Sequence, residues 1–169
     1  MNYYIDIKLL DIETNPMTTH YQGTEREKLA LDAFVKLSRA AESVSARVND
    51  HLHEANLSVS QFGVLEALYH LGPMPAGRLA EKILRSSANL TLVIDNLVKR
   101  GLVNRERRPD DRRAVEISLT EAGRAAIAAI LPDHVAGIVA ALSALSPEEQ
   151  MTLAALCRKL GLAQAAARD

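Results

Sequence analysis

Gly101-Leu102-Val103-Asn104-Arg105-Glu106-Arg107-Arg108-Pro109-Asp110-Asp111-Arg112-Arg113-Ala114-Val115-Glu116-Ile117-Ser118-Leu119-Thr120 is the stretch in which the apolar period changes. Before Gly101, Leu90, Val93, Ile94 and Leu97 recur at spacings of three and four, which places them on one side of a helix. After it, residues 102–107 and 114–119 alternate as two short strands do. Between the strands, Arg108 to Arg113 is nearly all charge around Pro109, which predicts a tight turn. A helix that ends at glycine and runs into a charged β-hairpin is the feature around which the remaining elements arrange themselves.

Working upstream, Ser87 to Arg100 is the helix, preceded by the polar turn Arg85-Ser86-Ser87 and a short helix over Ala76 to Leu84. A further helix begins after Ser58, with Gln61 three residues on completing a capping box, and stops at Gly72-Pro73. From Glu25 to Glu54, Phe34, Leu37, Ala41, Val44, Val48 and Leu52 mark one apolar face. Such a helix is about 45 Å long, more than one small domain can cover, so a second chain is expected against it. Downstream, Thr120 caps a long Ala-rich helix with Pro132 near its middle, expected to kink or interrupt it. Ser146-Pro147 starts a last helix, expected to end at Gly161. Residues 1–23 read as a flexible arm. Met17-Thr18-Thr19-His20 inside it resembles a protein start.

Aromatics make up only 4% of the chain and Trp is absent, so Ala and Leu must fill the interior, which suits helices. The net charge of -1 conceals a segregation. Residues 78–113 hold ten Lys or Arg against five acids, a net +5, and the rest of the chain carries -6. A basic lobe on an acidic body is suited to phosphate. One cysteine, Cys157, excludes an internal disulfide or a CxxC pair, and its place on an apolar seam predicts a buried thiol. No uncharged apolar run approaches a membrane span and no secretory signal opens the chain, which predicts a cytoplasmic protein without a membrane partner.

The fold expected is mainly α with a two-stranded β wing, a winged helix-turn-helix with dimerisation helices at both ends. Residues 24–56 and 120–162 form the dimerisation helices, 57–119 the DNA-binding lobe and 163–169 a tail. In this layout the helix before the hairpin can enter the major groove while the hairpin tip reaches the flanking minor groove. Three blocks carry a resemblance to a known family: Ser60 to Leu68, Leu90 to Val103, and Pro109-Asp110-Asp111-Arg112-Arg113-Ala114 through Leu119-Thr120-Glu121-Ala122-Gly123. Over about residues 25–160 the chain resembles the MarR family of transcriptional regulators.

That resemblance implies a homodimer that binds double-stranded DNA at a palindromic operator, usually as a repressor. It implies that Asp95 positions Arg113 in the wing while Arg108 and Arg112 meet phosphates. Arg85, Ser86, Ser87, Asn89, Thr91 and Asn96 are the expected contacts to base edges and nearby phosphates. Asp95 could instead pair with Lys99 at i+4. Many relatives carry Arg where this chain has Leu92, so specificity is expected to rest on smaller polar groups or on DNA shape.

Relatives commonly release DNA when a small aromatic or phenolic effector, or an oxidant, acts at the junction of the dimer helices and the lobe. Phe34, Leu37, Ala41, His51, Phe62, Leu65 and Tyr69 are the candidates for that pocket, and the words Leu65 to Gly72 and Lys82 to Leu84 are similar to a subgroup that answers quinones. A metal-responsive regulator of the same fold is the first alternative, suggested by Glu66 and His70 at i,i+4 with His51 and His53 upstream; no metal site is assigned. A winged-helix module that binds protein without DNA is the second, although it would not need the +5 lobe. No nucleophile elbow, phosphate loop or His-Glu-x-x-His helix is present, so neither an enzyme nor a cofactor is expected.

Overall fold

The computed structural model describes residues 21–83, 87–107 and 115–166, and the chain divides into two compact units, residues 1–45 and 46–169. Helix α1, Glu25–Asn49, follows residues 21–24 and makes up the rest of the described part of the first unit, its last four residues falling in the second. Phe34, Leu37 and Ala41 are exposed along it.

The second unit is built on a short 3-10 turn, Asp50–His53, followed by α2, Val59–Leu71. The turn closes with Asn56 at a positive φ of 52°, where Asn56 N–H donates to His53 O and Leu57 N–H to Leu52 O, both at 3.0 Å. Ser58 and Gln61 then form the expected reciprocal cap on α2. Strand β1, Met74–Pro75, and α3, Ala76–Lys82, lead toward α4, Ser87–Lys99. Strands β2, Val103–Arg107, and β3, Val115–Leu119, pair antiparallel, with Arg105 opposite Ile117.

Sequence alternation predicts the two wing strands but not β1, which adds to the far side of β3 through Met74 opposite Ile117. The sheet order is β1-β3-β2, so β3 is the central strand and Ile117 is fully buried. Around it Leu52, Phe62, Leu65, Leu68, Leu79, Leu90, Ile94, Leu97, Val103 and Ile127 form one continuous core. The winged helix-turn-helix rests on this cluster, which takes residues from every helix of the lobe.

Helices α5, Glu121–Leu142, and α6, Pro147–Ala166, complete the unit. Pro132 does not interrupt α5, which continues past it. α6 runs beyond Gly161 because one glycine costs about 1 kcal/mol in a helix and the following Ala-Gln-Ala-Ala favours one. α5 is long and apolar enough to cross a bilayer by composition, yet Asp133 and His134 stand at its middle and Ile127 and His134 are buried in the lobe. Little else of α5 or α6 is covered: Val135, Val139, Met151, Leu156 and Leu160 are exposed. Cys157 is also exposed, against the expected burial, because none of the described residues covers its α6 seam.

Candidate nucleic-acid interface

Helix α4 presents two chemically distinct sides. Leu90, Ile94 and Leu97 are at most 2% exposed and anchor it in the core. Thr91, Leu92, Asn96 and Lys99 are exposed on the outside, with Leu92 66% open to solvent. Ser87 and Asn89 stand in the first turn. The anchoring side therefore fixes which residues face outward, and a one-residue rotation would drive Thr91 and Asp95 into a dry core.

Asp95 joins this helix to the wing. Arg105 Nη1 on β2 donates to Asp95 Oδ1 at 2.8 Å, and both side chains are a little under half exposed. The partner implied by resemblance, Arg113, lies outside the described residues, as do Arg85, Ser86, Arg108 and Arg112. Arg105 was not among the expected site residues. Its place on a strand hides the pairing, because residues ten apart meet only once the hairpin folds back beside α4.

The end of α4 is fixed as firmly. Gly101 takes a positive φ of 68°, Gly101 N–H donates to Val98 O at 2.9 Å and Leu102 N–H to Leu97 O at 3.0 Å. Thr120 Oγ1 donates to Gly101 O at 2.7 Å, Thr120 N–H donates to Leu102 O at 3.2 Å, and Gly123 N–H donates back to Thr120 Oγ1 at 2.9 Å. A Cβ at Gly123 would stand 1.9 Å from Leu102 O, so only glycine lets α5 begin this close to the root of the wing.

Of the candidate effector residues, the structure brings His51 and Phe62 together around a residue that sequence reading did not single out, His134 of α5. The His134 ring lies 5.2 Å from His51 and 4.4 Å from Phe62. His51 Nε2 and His134 Nδ1 are buried without a hydrogen-bond partner. Burial holds the His134 imidazole below its ordinary pKa and His51 adds to the effect, while the Glu66 carboxylate pulls the other way. Leu65 is fully buried core. Tyr69 lies under the Arg124 guanidinium at 5.6 Å. Phe34, Leu37 and Ala41 belong to the first unit.

Glu66 and His70 line an open groove of about 450 Å³ with Lys82 on its rim. Among the described residues no three His, Cys, Asp or Glu side chains gather closely enough to hold a metal ion.

A model of the MarR family matches residues 57–115. The chain is 38% identical over 133 residues to the HTH-type transcriptional regulator MhqR of Bacillus subtilis (strain 168), an overlap of 79% of this chain and 92% of that protein. Among solved structures, a probable transcriptional regulator from Pseudomonas aeruginosa is 32% identical with a TM-score of 0.70, over 78% of this chain and 98% of that one. Bordetella bronchiseptica BpsR, solved to explain how 6-hydroxynicotinic acid regulates its DNA binding, is 27% identical with a TM-score of 0.71, over 76% of this chain and 98% of that one.

Proposed function

The chain belongs to the MarR family of transcriptional regulators, and on that premise we propose that it acts as a cytoplasmic, non-catalytic homodimeric repressor, released from a palindromic operator by a small aromatic ligand. The observation that carries the DNA-binding part is the outer face of α4, held by a buried inner face and tied through Asp95 to Arg105 of the wing. In this reading α4 lies in the major groove. Ser87, Asn89, Thr91 and Asn96 meet base edges and phosphates there. Leu92, apolar and exposed at the middle of the face, suits a thymine methyl. Arg85, Arg108 and Arg112 take phosphates and Arg113 enters the minor groove.

The exposed apolar residues of α5 and α6 support the dimer, since a soluble monomer seldom leaves so many large side chains uncovered. An aromatic effector is supported by His51, Phe62 and His134, which offer ring faces and two unpaired imidazole nitrogens in one place. BpsR, whose DNA binding is regulated by an aromatic acid, lends this reading an analogy.

Fluorescence anisotropy with the DNA upstream of the protein's own gene, at two salt concentrations, tests the proposal. Binding well above that of random DNA, weakened by added phenols or aromatic acids, is the expected result. Equal affinity for any DNA would reduce the basic lobe to an electrostatic surface and refute sequence-specific regulation. Arg113→Ala is expected to weaken operator binding, and unchanged affinity at moderate salt would remove the wing from the interface.

A further inference from the structure

Arg100, at the end of the recognition helix, counts toward the basic lobe, yet its guanidinium turns back onto its own protein. Nη1 donates to Asn56 O at 2.7 Å and Nη2 to Ala55 O at 3.4 Å, across more than forty residues of sequence. These carbonyls belong to the turn that closes the 3-10 segment, where Asn56 takes its left-handed conformation. The two carbonyls lie beyond Glu54, the C-cap of that segment, in turn residues outside any helix. A planar guanidinium can serve both at once, as an ammonium cannot.

The two ends thus meet back to back. Leu52 and Leu57 beneath one and Leu97 beneath the other belong to the same core. Next to Leu52, His51 touches the His134 ring of α5. We propose that Arg100 is a positioning residue for operator recognition, a strut that fixes α4 against the turn carrying His51, and that it is not a phosphate contact. The inference rests on the DNA-binding reading above.

Charge and geometry make different predictions, which separates the two roles. A phosphate contact would be largely preserved in Arg100→Lys, and in Arg100→Ala its loss would weaken all DNA alike and lower the salt slope by about one. The strut needs the fork. Arg100→Ala is therefore expected to weaken operator binding about tenfold, as the loss of charge-assisted hydrogen bonds does. Affinity for random DNA and the salt slope should stay the same. Arg100→Lys should fall about threefold, keeping one carbonyl of two.

Hydrogen exchange of the free proteins tests the strut apart from DNA. In both variants the amides of Asn56 and Leu57 and those of Arg100 and Leu102 should exchange faster, while the core amides of Leu65 and Ile117 keep their protection. A uniform loss over all DNA with a lower slope, a lysine variant equal to wild type in operator affinity, or unchanged exchange at Asn56 and Leu57 would each overturn the proposal. Failure of the wild type to prefer its operator, with exchange changed as expected, would instead count against the DNA-binding reading and leave the strut standing.

Discussion

Gly123→Ala converts the close approach of α5 to the root of the wing into a measurable quantity. A Cβ on residue 123 would stand 1.9 Å from Leu102 O, and side-chain carbons do not settle within 3.0 Å of another atom, so α5 and the root of β2 must part by at least 1.1 Å. That movement takes Thr120 N–H, now 3.2 Å from Leu102 O, out of hydrogen-bond range, and stretches the 2.7 Å bond from Thr120 Oγ1 to Gly101 O beyond use. Two lost bonds cost about 1–3 kcal/mol and overpacking about 1–3 kcal/mol, against a gain of at most ~1 kcal/mol from alanine's helix propensity. The expected net loss is about 1–6 kcal/mol, centred on ~3 kcal/mol, which lowers the melting temperature of a chain this size by roughly 10 °C.

Urea and thermal unfolding at one fixed protomer concentration provide the assay, since association adds to apparent stability. Gly161→Ala is the control. Nothing lies within 4 Å of its added carbon, and it should stabilise α6 by up to ~1 kcal/mol. If Gly123→Ala melts with the wild type, the steric account of α5 against the wing is wrong. Operator affinity should fall with the stability, because the root of the wing is what moves.

Three further outcomes follow from other contacts. Asp95→Asn should change stability by no more than ~1 kcal/mol, as its bond to Arg105 is solvent-exposed, while weakening operator binding clearly in anisotropy; equal affinity would reduce the pair to a surface ornament. For His134, burial favours the neutral ring, so the stability it contributes is intact above the ordinary histidine pKa near 6.5 and is lost as pH falls below it and the unfolded chain takes up the proton. His134→Phe should flatten that decline as pH falls below about 6.5 in urea titrations, and a profile parallel to wild type would contradict it. Under the proposed docking, replacing an operator thymine opposite Leu92 by uracil should weaken the wild type but not Leu92→Ala; equal sensitivity in both would place Leu92 away from the groove.

Local rules made much of the lobe legible. The period change at Gly101, the Ser58–Gln61 box and the Thr120 cap are short-range features, and each lies where its residues predict. Strand β1 was not legible, because two residues ending in proline carry no alternation and exist as a strand only through β3. Arg105 and Arg100 looked like interchangeable positive charges, and only the folded path decides that one meets Asp95 and the other two carbonyls. His134 was invisible for a related reason. A histidine two residues after Pro132 in an Ala-rich helix shows no pattern until α5 lies across Phe62. Gly161 misled in the opposite direction, since a single helix breaker is weaker than the alanines around it.

Thr120 is the whole length of chain between the end of β3 and the start of α5, and through Gly101 and Leu102 it also grips the beginning of β2. Both legs of the wing are thus riveted to one helix end, with no slack residue to absorb a twist. A rocking of α5 would move the roots of both strands together, as a paddle follows its handle. For the engineer this marks where the chain cannot be cut. A reporter domain inserted at Thr120 would uncouple the paddle from its handle, while the Ser143–Ser146 connection, outside that joint, can be lengthened without cost to it.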